Sequence, residues 1–109
     1  MDMNEYQYKA RKTALYPNAG NNVVYPTLGL AGEAGEVADK VKKILRDHGG
    51  IFDDSAKESI MLELGDVLWY ISQLSSELGF DLEFVAQKNI EKLTSRFKRG
   101  KISGDGDTR

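Results

Sequence analysis

The chain has 109 residues and a formal net charge of −2, which fits one domain and gives no general reason to expect a nucleic acid or a membrane as partner. It has no cysteine and a single histidine, His48, which excludes disulfides, thiolate chemistry and histidine-rich zinc or di-iron sites. No apolar run approaches the roughly 20 residues of a membrane span, and the first residues lack the apolar segment of a signal peptide, so we expect a cytoplasmic protein.

The first predicted helix runs from Asn4, its N-cap, to Leu15, with Tyr8, Ala14 and Leu15 available for burial. Residues 16–25, YPNAGNNVVY, contain a proline, a glycine and three asparagines, which predicts a loop. Loops of this length often line a site, although a plain surface connection is equally compatible with the sequence.

The second predicted helix begins at Pro26 or Thr27 and ends near Asp47. Apolar residues recur along it at steps of three and four, which predicts a buried stripe. Glu33 and Glu36 lie on an adjacent face. The predicted stripe consists of Leu30, Ala34, Val37, Ala38, Val41, Ile44 and Leu45.

The third predicted helix extends from Ala56 to Leu78, with Asp54 or Ser55 as its N-cap. It has the same apolar periodicity, and an acidic pair flanks the stripe. The stripe consists of Ile60, Leu64, Val67, Leu68, Ile71, Leu74 and Leu78, and the acids are Glu63 and Asp66.

Four glycines interrupt these two helices, namely Gly29, Gly32, Gly35 and, between the two acids of the third helix, Gly65. Each costs a helix interior about 1 kcal/mol relative to alanine. This cost indicates that something approaches the backbone closely, either a neighbouring helix or a ligand lying beside the acids.

Each acidic pair has a spacing of three residues, Glu33-x-x-Glu36 and Glu63-x-x-Asp66, which places both side chains of a pair on one helix face. Either pair alone is also typical of a solvated surface. If the two helices pack face to face, the four carboxylates converge, and their repulsion favours a bound cation. With oxygen ligands alone, Mg²⁺ or Mn²⁺ is preferred.

The fourth predicted helix is capped by Asp81 and ends near Lys98. Asn89, Lys92 and Arg96 share one face, which is either a solvated basic surface or a binding surface for phosphate oxygens. A phosphate anhydride beside a metal site would indicate metal-assisted hydrolysis. The residues predicted to face inward are Leu82, Val85, Ala86, Ile90, Leu93 and Phe97.

The predicted fold class is therefore all-α, with a four-helix bundle-like core in which the second and third helices form the acid-bearing antiparallel hairpin. Residues 1–100 form a single domain in this prediction. Residues 101–109 are rich in glycine and polar side chains, which predicts a flexible tail.

Three stretches of the chain resemble the MazG-type nucleoside triphosphate pyrophosphohydrolases, an all-α superfamily related to dimeric dUTPases and dCTPases: LGLAGEAGEVADKVKK, ELGDVLWYISQL and KNIEKL-x-x-R. The resemblance extends over residues 6–96. It implies hydrolysis of an NTP or dNTP to the monophosphate and pyrophosphate, in nucleotide-pool house-cleaning or dNTP control. In this family an E-x-x-E pair and an E-x-x-D pair hold Mg²⁺, with Mn²⁺ as a substitute. The matching acids here are Glu33, Glu36, Glu63 and Asp66.

The resemblance also implies that Asn89 and Lys92 lie near the substrate phosphates, with Arg96 extending the same face. It implies a homodimer or homotetramer whose active sites draw on a neighbouring chain. Trp69, Tyr70 or Tyr25 is available to stack on a base, although such aromatics are more often core residues. A narrow dUTP or dCTP diphosphatase and a catalytically silent helical interaction module are the alternatives. The presence of all four acids favours an enzyme over the silent module.

Overall fold

The computed structural model describes all residues, 1–109, and the chain is all-α, as the sequence predicts. No helix has the combination of length and apolarity that crossing a membrane requires. The four helices are α1 (Met3–Arg11), α2 (Val24–Asp47), α3 (Asp54–Glu77) and α4 (Leu82–Lys98).

The prediction for α1 is wrong at both ends. Its N-cap is Asp2, whose carboxylate accepts a hydrogen bond of 2.8 Å from the Glu5 N–H, so the helix begins before Asn4. At the other end α1 stops at Arg11. The Thr13 N–H and hydroxyl both donate to the carbonyl of Ala10, and these bonds turn the chain away from the helix.

The residues that α1 buries differ from the predicted ones. Leu15 lies beyond the helix and is 90% exposed, and Tyr8 is 66% exposed, so the predicted burial of both is wrong. α1 packs instead through Ala10, which is buried, and through Gln7, whose side chain donates 3.0 Å to the Ser76 hydroxyl on α3. Polar contacts therefore carry much of this interface.

The other helix ends lie close to the predicted ones. α2 starts two residues before Pro26, which occupies the first turn, where its missing N–H costs nothing. α3 starts two residues before Ala56 because the N-cap is Asp53, whose carboxylate accepts 2.8 Å from the Ala56 N–H. α4 follows Asp81 and ends at Lys98, as predicted.

α2 and α3 form the predicted antiparallel hairpin, joined by residues 48–53. Their register is fixed by contacts on both sides of the acids. Gly29 faces Tyr70 toward the open end, and toward the connection the Lys40 ammonium lies 2.6 Å from the Ser59 hydroxyl. α1 and α4 pack on each other and on α3, whereas α2 contacts only α3.

Only part of the predicted apolar stripes is covered within one chain. The buried hydrophobic residues are Ala10, Tyr16, Ile44 and Leu82. The stripes are wider than the surface that the neighbouring helices cover, so the burial predicted for their outer members is wrong for the isolated chain. The exposed members are Ala34, Ala38, Leu45, Leu64, Leu68, Leu78, Val85, Ile90, Leu93 and Phe97.

The four helix glycines separate into two groups. A Cβ on Gly29 would lie 2.1 Å from Cε1 of the Tyr70 ring, so a neighbouring helix explains this glycine. A Cβ on Gly32, Gly35 or Gly65 would meet nothing within 4 Å. These three glycines leave open space along the helices that carry the acids.

We predict that Gly29→Ala destabilises the fold by roughly 1–3 kcal/mol, because the added methyl group forces the Tyr70 ring out of its position. The matched control is Gly32→Ala on the same helix, which gains helix propensity in open space and is expected to be neutral or up to about 1 kcal/mol more stable. Urea unfolding measures both. Equal stability of the two variants would contradict the proposed packing.

Candidate functional site

Three of the four predicted acids converge. The carboxylates of Glu33 on α2 and of Glu63 and Asp66 on α3 each offer an oxygen, and these oxygens all lie within 4.8 Å of one another. Glu33 and Glu63 are half-buried, and Asp66 is exposed. The hairpin thus brings together three of the four carboxylates that the helical spacing predicts to converge.

Glu36 is exposed and lies outside this group of three. A step of three residues places it about 4.5 Å further along α2 than Glu33. It still acts on the cluster electrostatically, because its charge contributes to the raised pKa of Glu33. Glu36 is therefore an exposed neighbour of the three-carboxylate cluster and not a member of it.

The electrostatics of the cluster favour a positive occupant. Burial raises the pKa of Glu33 above its ordinary value, and a hydrogen bond with Glu63 and the negative charges of Asp66, Glu63 and Glu36 raise it further. A carboxylate in this position is therefore harder to ionise than one in water. A cation between the acids would relieve both the repulsion and the lost hydration.

The donor set fits a hard divalent cation. All the available ligand atoms are carboxylate oxygens, which Mg²⁺ and Mn²⁺ prefer over sites of nitrogen or sulfur. The nearest positive side chain is Lys40, whose ammonium lies 3.3 Å from a carboxylate oxygen of Glu63. Glu33, Glu63 and Asp66 would hold the ion, and the charge of Glu36 acts on the same cluster.

The α4 residues make no hydrogen bond or ion pair with the acids within one chain and have other partners. Asn89 and Lys92 line a surface cavity of about 370 Å³ together with Phe80 and Phe84, and Lys92 forms an ion pair of 3.0 Å with Asp107 of the tail. No hydrogen bond or ion pair joins α4 to the acids, and α4 does not contact α2. Within one chain no direct contact joins the two predicted halves of the site.

Arg96 holds the C-terminal tail. It is 4% exposed, and its Nη2 donates to the carbonyls of Asp107 at 2.7 Å and Gly106 at 3.3 Å, with the Asp107 carboxylate also at 3.3 Å. Its Nε is buried without a hydrogen-bond partner. Arg96 therefore differs from Lys92 in being covered by the tail.

An aromatic cluster borders the acids toward the open end of the hairpin. The rings of Tyr16 and Tyr25 stack at 4.8 Å, and Trp69 meets Tyr70 edge-on at 4.9 Å. Burial raises the pKa of Tyr70, and its interaction with Tyr25 and the negative charges of Glu33 and Asp66 raise it further. These charges connect the aromatic cluster to the acids. Of the three aromatics predicted as base-stacking candidates, Tyr25 is 41% exposed and the other two are half-buried.

Glu77, near the end of α3, is a residue that sequence reasoning missed. Its side chain is fully covered and accepts hydrogen bonds from the Tyr16 hydroxyl, from the N–H groups of Gly20 at 2.8 Å and Asn22 at 3.2 Å, and from Arg11 at 3.4 Å. Burial alone would raise the pKa of Glu77, but these bonds lower it to about 2. Glu77 thus fastens the loop that carries Tyr16 against the hairpin.

The chain is thus an all-α protein whose helical hairpin gathers carboxylates from both of its helices, without histidine or cysteine, into an acidic cluster. The chain belongs to the MazG nucleotide pyrophosphohydrolase domain family, whose profile matches residues 26–100. Members of this family generally depend on a divalent metal.

The chain is also similar to the Gene 37 protein of Mycobacterium phage L5. The two sequences are 47% identical over an alignment of 114 positions that covers the whole of both chains. Comparison with solved structures gives no match. The family match places all four acids and the α4 face inside the conserved domain boundaries.

We predict that Glu77→Gln lowers the free energy of unfolding by roughly 2–4 kcal/mol at neutral pH, because it leaves the Arg11 guanidinium without its counter-charge. Since the folded-state pKa of about 2 lies below the ordinary value of 4.5, the stabilisation is complete above about pH 4.5 and is lost as the pH falls toward 2. Urea unfolding at neutral and acid pH measures both effects.

The control for this variant is Glu58→Gln, an exposed position on the same helix without a hydrogen bond or ion pair. We expect its stability to stay within about 0.5 kcal/mol of the wild type. A Glu77→Gln protein that is as stable as this control, with the same dependence on pH, would show that the carboxylate does not fasten the loop.

Proposed function

We propose that the protein hydrolyses a nucleoside or deoxynucleoside triphosphate to the monophosphate and pyrophosphate. The observation that carries the proposal is the convergence of Glu33, Glu63 and Asp66 from two helices, in a chain of the MazG family. Glu36 completes the acidic set, which would hold Mg²⁺ or Mn²⁺. Nucleotide-pool house-cleaning or control of dNTP levels is the corresponding cellular role.

In this reaction the oxygen of a water molecule bonds to the α-phosphorus while the bridging bond between the α- and β-phosphates breaks, and pyrophosphate leaves. A bound divalent ion supplies neutralising charge and lowers the pKa of water. One of the four carboxylates accepts the proton of the attacking water. The half-buried positions of Glu33 and Glu63 limit competing hydration of their charges.

We also propose that a second copy of the chain completes the structure, as a homodimer or homotetramer. The radius of gyration is 16.7 Å, compared with about 13 Å for a compact domain of this length. Only nine of the 109 residues are buried, and α3 is the only helix that contacts α2. Apolar surface of this extent on an open hairpin is typical of a subunit.

Assembly would also explain the position of the α4 face. Asn89 and Lys92 make no direct contact with the acids within one chain, and in the proposed oligomer the α4 of one subunit lies against the hairpin of another. Lys92 would then neutralise phosphate charge and Asn89 would orient the phosphate chain. The open space at Gly32, Gly35 and Gly65 is available for such an approach.

We predict that the wild type releases pyrophosphate from one or more members of a panel of NTPs and dNTPs, including dUTP and an oxidised purine nucleotide. Turnover requires Mg²⁺ or Mn²⁺ and falls at least about 100-fold in Glu36→Gln and Asp66→Asn, because charge neutralisation at phosphorus is lost. A pyrophosphate-release assay gives the initial rates, and Glu58→Gln is the control.

The panel also separates the alternatives. Activity on dUTP or dCTP alone indicates a narrow diphosphatase, and activity on many substrates indicates house-cleaning. Full activity of both acid variants would refute the site. The absence of both metal binding and turnover would refute the enzyme and favour a helical interaction module.

We predict that light scattering coupled to gel filtration gives a mass that is twice or four times 12.1 kDa. Leu64→Glu, which places a charge at a 54% exposed apolar position on α3, is expected to shift the protein toward the monomer while helicity is retained. Ile102→Glu in the tail is the matched control. A monomeric wild type at micromolar concentration would refute the assembly.

A further inference from the structure

A cavity of about 280 Å³ lies at the tip of the hairpin, where α2 ends and α3 begins. Its lining includes three nitrogen-bearing side chains and two hydroxyl groups. These are Lys40, Lys43 and His48 from the α2 side and Ser55 and Ser59 from α3. The combination of ammonium groups and hydroxyl donors is the chemistry that binds phosphate oxygens.

The lining of this cavity has more ammonium groups than carboxylates. Its one acidic side chain, Asp53, is already engaged as the α3 N-cap, with an oxygen 2.8 Å from the Ala56 N–H. Lys43 pairs at 2.7 Å with Asp39, which it shares with Lys42. The first turn of α3 adds the positive end of a 24-residue helix, beside the carboxylate of Asp54. The lining itself has two ammonium groups and one carboxylate, and the acids that pair with the lysines, Glu63 and Asp39, lie outside it.

Lys40 connects the cavity to the acid cluster. Its ammonium lines the cavity, donates 2.6 Å to the Ser59 hydroxyl and lies 3.3 Å from a carboxylate oxygen of Glu63. A cation held by the acids would repel this ammonium. The positive charge of Lys40 would then be available to an anion in the cavity, directly beside the metal ligands.

The order of groups along the hairpin indicates how the substrate is oriented on it. The aromatic cluster with Tyr25 lies on one side of Glu33, and the cavity with Lys40 lies on the other. Along α2 these spacings of eight and seven residues correspond to about 12 Å and about 10 Å. Aromatic rings suit a nucleoside and ammonium groups suit phosphates.

We propose that the hairpin-tip cavity is the subsite for the two terminal phosphates, which leave as pyrophosphate, and that Lys40 and Lys43 are its positioning residues. The nucleoside then lies toward the aromatic cluster. This subsite rests on the proposed function for the identity of its occupant. The binding chemistry itself is testable with pyrophosphate alone.

The test is a calorimetric titration of the full chain with pyrophosphate, with and without Mg²⁺. The wild type is expected to bind, and Lys40→Met and Lys43→Met are each expected to weaken the affinity about tenfold, since each removes one charge-assisted hydrogen bond. The control is Lys42→Met, whose side chain pairs with the same Asp39 but does not line the cavity. Circular dichroism verifies folding.

A second readout is product inhibition of triphosphate turnover. The inhibition constant for pyrophosphate should rise about tenfold in Lys40→Met and Lys43→Met, while that for the nucleoside monophosphate stays unchanged. A merely structural role would raise both constants together, and that result would overturn the proposal. The absence of pyrophosphate binding by the wild type, or equal binding by all three lysine variants, would also overturn it.

Different results would refute the pyrophosphate subsite and the proposed hydrolase. Turnover of triphosphates with pyrophosphate affinity independent of Lys40 and Lys43 would remove the subsite and leave the hydrolase intact. Lysine-dependent binding of pyrophosphate by a protein that hydrolyses no triphosphate would remove the hydrolase and leave an anion site at the hairpin tip.

Discussion

The mutual repulsion of carboxylates across the α2–α3 hairpin is the constraint on which the structure depends. Glu33, Glu63 and Asp66 stay within 4.8 Å of one another because the helices are held together on both sides of them. On one side the Tyr70 ring lies against the backbone of Gly29, and on the other Lys40 bridges to Ser59. The acidic cluster is thus assembled by packing alone, and a cation between the carboxylates would relieve their repulsion.

Periodicity and helix-end residues were sufficient to predict the all-α class, the hairpin and the convergence of three of its four acids, because these features follow from local geometry. The end of α1 depends on the backbone and hydroxyl bonds of Thr13, and a helical pattern does not reveal it. Glu77 was missed for a related reason, since its four donors lie 55–66 positions away in the sequence. A single acid near the end of an apolar helix carries no sign of such partners.

Apolar stripes show which side chains avoid water, but they do not show which surface covers them. The stripe of α4 was predicted to face inward, and Leu82 does, yet Phe97 is 76% exposed. The same limit applies to the relation between the acids and the α4 cations. Spacing within a helix places Asn89 and Lys92 on one face, whereas the neighbour of that face depends on tertiary and quaternary packing. Similarly, Gly29 and Gly32 are equivalent in sequence, and only the structure separates a close contact from open space.

The contact of Gly29 with Tyr70 also prevents the two long helices from sliding past each other. A shift of one residue would place Leu28 or Leu30 where only a hydrogen atom fits, so the spacing between groups on the hairpin is fixed. The distance along α2 from Tyr25 to Lys40 is about 22 Å at the rise of a regular helix. The hairpin therefore holds the aromatic cluster, the acids and Lys40 at fixed distances from one another. A ligand that must contact both ends and the acids between them is selected for its length as well as for its charge.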